Sequence, residues 1–239
     1  MKIKFVILGF ILIALSSFKH SIIDKKKNNI YKTVFYPKIQ TYIESVKKDF
    51  NKITNERKKK IKKIADFIKV KKSVKEKINL LFICTHNSRR SHMSQIWSTV
   101  AAEYYGVKNV VTYSGGTEVS AFNPRSVSAM ERVGFLISKT GINEKNPIYE
   151  IKYADNEEPI KAFSKRYNDP TNPHNNFCAV MTCSQADKAC PNVNGATERI
   201  SIPYEDPKAF DGTAEETEKY HERCRQIATE MMYLFSLIK

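Results

Sequence analysis

The chain opens on an unbroken apolar stretch, residues 5–18 (FVILGFILIALSSF), behind Lys2 and Lys4. Fourteen residues fall short of the roughly 20 that cross a bilayer, and suit a signal-peptide core or a short anchor better. Ser16 and Ser17 offer small residues for cleavage, whereas Lys19 and Lys25 to Lys27 directly downstream oppose export. A mis-assigned start and a buried core helix are the competing readings. The pattern then turns helical. From Pro37, Ile39, Tyr42, Ile43, Val46, Phe50 and Ile53 recur at three- and four-residue steps. Asn55 is placed to cap a second helix, with Ile61, Ile64, Ala65 and Ile68 as its stripe.

At residue 78 the period changes. Ile78–Ile83 (INLLFI) is a continuous apolar run of the kind found in a buried parallel strand. SHMSQIWSTVAAEYY, ending at Tyr105, reads as a helix stopped by Gly106. Strand-like runs follow at 177–182 and 199–204. A helix from about Thr213 to Leu237 carries Tyr220, Cys224, Ile227, Ala228, Met231, Met232 and Phe235 on one stripe. Alternating strands and helices predict an α/β three-layer sandwich with a central parallel sheet of about four strands. The chain divides into a signal or anchor (1–22), a Lys-rich helical extension (23–77) and a catalytic domain (78–239). Residues 138–176 are polar, follow neither period, and are expected to build a rim that sets specificity.

Composition sharpens this division. Of 239 residues 41% are hydrophobic and 11% aromatic, enough for a real core, and 8 Gly with 9 Pro exclude a low-complexity chain. Five Cys are too few for a disulfide scaffold. The net charge of +15 is local: residues 1–77 carry 22 Lys/Arg against 6 Asp/Glu, and the remainder carries 18 against 19. Lysines without interleaved Arg or aromatics favour a solvated helical hairpin packed on the domain, followed by contact with an anionic membrane through residues 1–77. Nucleic acid ranks last, because no recognised module is present.

Candidate chemistry sits where the first strand ends. Cys84-Thr85-His86-Asn87-Ser88-Arg89-Arg90-Ser91 lies between strand and helix, so its N–H groups converge at a helix N-terminus. That geometry attracts an oxyanion and favours the thiolate of Cys84. Five residues separate Cys84 from Arg90, which lets the loop curl around one tetrahedral anion with the Arg90 guanidinium clamping two oxygens. Alone, such a pair is weak, and a buried Cys at a strand end explains it. The preceding strand, the following helix and Ser91, a donor to the thiolate, change the weighing. Nucleophilic attack needs an acid for the leaving group, and Asp206, stiffened by Pro207, is the candidate.

Together these residues resemble the low-molecular-weight protein tyrosine phosphatases and the thioredoxin-coupled arsenate reductases of the same fold. Ser114-Gly115-Gly116-Thr117 and Asn123-Pro124 add to the likeness, which covers roughly residues 78–239. It implies Cys84 as nucleophile and Arg90 as oxyanion clamp. It further implies Ser91 as thiolate donor, Asn87 as a loop-shaping residue and Asp206 as acid. Thr85, His86, Asn87, Ser88, Arg89, Arg90 and Ser91 would form the oxyanion cradle. Cys183 and Cys190 resemble the redox segment of the reductases, in which a second Cys attacks the arsenic adduct and a third resolves the disulfide. A structural disulfide or passive thiols compete, and the spacing does not match a zinc site. Cys178 and Cys224 read as packing residues.

Departures from the family pattern matter too. Arg89 stands where both relatives commonly carry Cys, Lys208-Ala209-Phe210 replaces the Tyr residues often beside the phosphatase acid, and His86 in the loop reads as solvent-facing. Three functions compete. The leading one is arsenate reduction, with no bound cofactor or metal and an external thiol reductant, thioredoxin. The next is phosphomonoester hydrolysis, and the last a non-catalytic oxyanion-binding protein. A monomer is expected, with the catalytic domain in the cytoplasm, tethered through the N-terminus in one variant of the reading. Export would favour the phosphatase.

Overall fold

The computed structural model describes residues 33–238, so the apolar segment at 1–22 lies outside the described residues. Helix α1 (Pro37–Lys47) starts at a proline whose fixed φ suits a first turn. The apolar stripe runs on to Ile53, but the helix stops at Lys47 and a 3₁₀ turn (Phe50–Lys52) carries the chain round. The cap of α2 (Asn55–Ser73) is Thr54 rather than Asn55. Its backbone is extended and its side chain accepts the Arg57 N–H at 3.2 Å.

Four parallel strands form the central sheet: β1 (Ile78–Cys84), β2 (Val110–Gly116), β6 (Phe177–Met181) and β7 (Ala196–Ser201), in the order β2-β1-β6-β7. β1 and β6 are buried along their whole length, which explains their lack of alternation. Helices α3 (Arg90–Tyr104), α4 (Pro124–Arg132) and α6 (Glu216–Ser236) complete the α/β layers. The chain leaves β1 for β2 on one side and returns as β6 on the other, so the carboxyl ends of β1 and β6 flank a topological switch point, where open α/β sheets hold their ligands.

The two sheet faces are covered unequally. Leu80, Phe82, Cys178 and Val180 meet a large core to which α1, α2, α3, α4 and α6 all contribute, Ile43, Ile64, Trp97, Met130 and Met231 among them. Leu81, Ile83, Ala179 and Met181 face a smaller cluster closed by the short helix α5 (Ser184–Ala189) through Ala186, with Val193 beside it. Residues 136–162, which overlap the polar segment 138–176, form a second, antiparallel sheet that the polar pattern conceals. Its strands are β3 (Leu136–Thr140), β4 (Ile148–Lys152) and β5 (Ile160–Ala162), in that order. Only alternate positions are buried, Tyr149 and Ile151 in β4 and Ala162 in β5, which leaves little apolar signal. Among the described residues no helix is long and apolar enough to cross a membrane.

Candidate active site

β1 delivers Cys84 to the switch point, paired in register with Gly116 of β2. Cys84 Sγ lies 3.1 Å from Ser91 Oγ, a contact in which the hydroxyl can donate to a thiolate. Asn87 takes a left-handed backbone (φ +44°), which Asn tolerates better than most residues. Its amide is fixed at both ends: Nδ2 donates to Ser91 Oγ (2.9 Å) and Oδ1 accepts the Lys165 N–H (2.9 Å). None of the amide N–H groups of residues 85–90 donates to another group among the described residues. A row of free amides opening a helix is a concave donor surface for an anion.

Residues 163–176 wrap the back of this loop. Ser164 Oγ donates to His86 O (2.8 Å), Gly116 N to Lys165 O (2.8 Å) and Tyr167 N to Gly116 O (2.9 Å). The approach is close enough to require the two glycines. A Cβ on Gly115 would lie 2.4 Å from the Tyr167 Cα, and one on Gly116 would lie 2.6 Å from Thr85 O.

The Arg90 side chain is buried. Its Nη1 donates to Tyr204 O (2.9 Å) and its Nη2 to Asp206 Oδ2 (2.6 Å), while Nε is buried with no partner. Asp206 remains one-third exposed and caps the 3₁₀ turn Pro207–Phe210 through the Lys208 N–H. Arg89 turns away from the loop: Nε donates to Tyr220 Oη (2.7 Å) and Nη2 reaches Asp211 (3.3 Å). The His86 ring points outward to Glu118 (3.1 Å). Ser88 Oγ donates to Ala121 O (2.6 Å), tying the loop to the segment before α4.

β6 delivers the second sulfur. Thr182 N and Oγ1 both donate to Ile83 O (2.7 and 2.9 Å), and Cys183 Sγ lies 3.3 Å from Thr85 Oγ1. Cys183 is fully buried and is the N-cap of α5, while Cys190, half-buried, is its C-cap. All five cysteines are free, and among the described residues no group of three or more potential ligands is placed to hold a metal.

No protein-family model matches the chain. An arsenate reductase of Bacillus subtilis is 30% identical over 146 residues, 61% of this chain and 86% of the relative. The chain belongs to the family of this arsenate reductase. It is accordingly an enzyme. The arsenate reductase of Bacillus licheniformis is 28% identical over 160 residues, 67% of this chain and 96% of the relative. A low-molecular-weight protein tyrosine phosphatase from Bacillus subtilis, solved in solution, aligns over 67% of this chain and 97% of its own at 14% identity, with a TM-score of 0.45.

Cys178 and Cys224 are core groups. Burial raises the Cys178 thiol above its ordinary range and pushes that of Cys224 up to about 11. Sequence reasoning missed the groups behind the loop. Burial pushes the Lys165 amine down to about 8, and it holds the His92 imidazole at about 3, with the Lys165 charge adding to the effect. His92 Nδ1 lies 3.1 Å from Ser114 Oγ. The available signal was positional: His92 directly follows the Cys84–Ser91 motif.

Proposed function

We propose that the protein reduces arsenate through a three-thiol relay. Cys84 attacks arsenic held by the loop amides and by Arg90, whose unpartnered Nε–H is free to bind one of the oxygens. Asp206 gives its proton to the departing water. Cys183 then attacks the sulfur of Cys84: the S–S bond forms as the S–As bond breaks, its electron pair stays on arsenic, and arsenite leaves. Cys190 attacks the sulfur of Cys183, releases Cys84, and leaves a Cys183–Cys190 disulfide that an external dithiol such as thioredoxin reduces. The observation that carries this reading is the 3.3 Å contact between Cys183 Sγ and Thr85, the neighbour of Cys84, at the ends of adjacent parallel strands. A phosphatase has no use for that second thiol.

Cys183→Ser tests it. Thioredoxin-linked arsenate turnover is expected to vanish, while cleavage of an aryl phosphate, which needs only Cys84, Arg90 and Asp206, is largely kept. Failure of the unmodified enzyme to turn over arsenate, with aryl phosphate cleaved, would leave the phosphatase reading in its place.

A further inference from the structure

The segment carrying Asp206 continues from β7, the edge strand of the sheet. On its inner side Ile202 and Tyr204 donate their N–H groups to Met181 O (2.9 Å) and Thr182 O (3.0 Å). On the outer side there is no further strand among the described residues, and Arg57 of α2 meets the carbonyls of Ile202 and Pro203. Its Nη1 donates to Pro203 O (2.8 Å) and its Nη2 to Ile202 O (3.1 Å). The same guanidinium lies against buried Glu230, with Nε 2.9 and 3.0 Å from the two carboxylate oxygens, and sits 4.5 Å from the centre of the Tyr204 ring. Tyr204 Oη completes the cluster by donating to Glu230 Oε2 (2.8 Å). On the far side of the same residues, Arg90 holds Tyr204 O and Asp206.

Two arginines therefore grip four residues of the segment 202–206, namely Ile202, Pro203, Tyr204 and Asp206, one from the catalytic loop and one from the helical segment ahead of β1. Only a planar, multi-donor cation can satisfy two carbonyls, a carboxylate and a ring face at once, so Lys at this position would not be equivalent. We propose that Arg57 is a positioning residue for the proton-transfer step, fixing the segment that presents Asp206 and backs Arg90. The inference rests on the assignment of Asp206 as the acid. It gives a residue of the N-terminal helical segment, outside the motifs shared with the relatives, a part in turnover.

The signature of a misplaced acid is selective. A poor leaving group needs the proton and a good one does not, whereas general damage to the fold lowers both rates. Arg57→Lys is measured on arsenate, phenyl phosphate and 2,4-dinitrophenyl phosphate, with Asp206→Asn as the benchmark. The expected result for Arg57→Lys is a kcat lowered about tenfold on arsenate and on phenyl phosphate. On the dinitrophenyl ester it stays within about twofold, and KM holds throughout. Asp206→Asn should show the same pattern more strongly. Equal losses on both esters, or no loss, with the benchmark selective, would overturn the role of Arg57 alone. A benchmark without selectivity would overturn the acid assignment and this inference with it. Should Arg57→Lys not fold, the double variant Arg57→Met, Glu230→Gln removes both buried charges together, and the same selectivity decides.

Discussion

Single groups around the loop set its charge, and two of them can be read through pH. With its amine pushed down to about 8, Lys165 is protonated in both folded and unfolded chains below that pH. Between pH 8 and the free-lysine value near 10.4 only the unfolded chain holds the proton, so stability rises with pH there. We expect Lys165→Met to stabilise the fold at pH 7 by about 2 kcal/mol and by much less at pH 10, measured by urea unfolding at both. His92 works at the acid end. Its folded value of about 3 lies below the unfolded value near 6.5, so the unfolded chain alone takes up the proton as pH falls between them. Stability then drops by up to about 1.4 kcal/mol per pH unit, a slope that His92→Gln should flatten. At the proposed nucleophile, Ser91→Ala removes the hydroxyl 3.1 Å from Cys84 Sγ. Turnover of arsenate should fall about tenfold or more, measured as the steady-state rate beside the unmodified protein.

At the level of elements, α5 is an obstacle as well as a scaffold. Cys183 and Cys190 cap its two ends, about 10 Å apart at 1.5 Å per residue. A disulfide needs Cα atoms roughly 4.4–6.8 Å apart. The proposed relay therefore requires α5 to unwind. What holds it is Arg199 of β7, which donates to Cys190 O (3.0 Å) and to Asp187 O and Oδ1 (2.7 and 2.6 Å), while Ser201 Oγ donates to Asp187 Oδ2 (2.7 Å). Arg199→Gln should speed amide exchange across 184–190 by about tenfold, near 1.4 kcal/mol of local stability, without moving the global midpoint by a comparable amount. Unchanged exchange would mean that the helix is held by its own turns. This latch was invisible in the sequence, since Arg199 and Asp187 are neighbours only through the pairing of β6 with β7. The Cys84–Ser91 loop and strands β1 and β6 were legible because each is a continuous local pattern, whereas β7 spans Ala196–Ser201 rather than 199–204 because only Ile200 in it is buried. The β3-β4-β5 sheet was not, because only alternate side chains are buried and long polar connections separate its strands.

For the molecule as a whole, the basic N-terminal third proves to be structural from Phe35 onward. Ile39, Ile43, Ile61, Ile64 and Ile68 are buried in the same core as Trp97 and Met231, and Arg225 of α6 donates to Ser45 O and pairs with Asp49. The lysines of α2 are charged residues on the opposite face of an element whose inner face the core requires. Trp97, the only tryptophan, stacks on Tyr42 of α1 at 5.5 Å and so reports directly on docking of this segment. Unfolding followed by tryptophan fluorescence and by far-UV circular dichroism should coincide. Ile64→Ala should lower the common midpoint with a loss of about 2–4 kcal/mol. Separate transitions would show that the helices and the sheet fold independently.

The depth of Cys183 has a bearing on idle enzyme. With no exposed surface, that sulfur offers peroxides and soft metal ions in the surrounding water no point of attack while the fold is closed. In the proposed relay, the electrons of Cys183 are spent only once a bound oxyanion has engaged Cys84 and the fold has opened around the buried thiol.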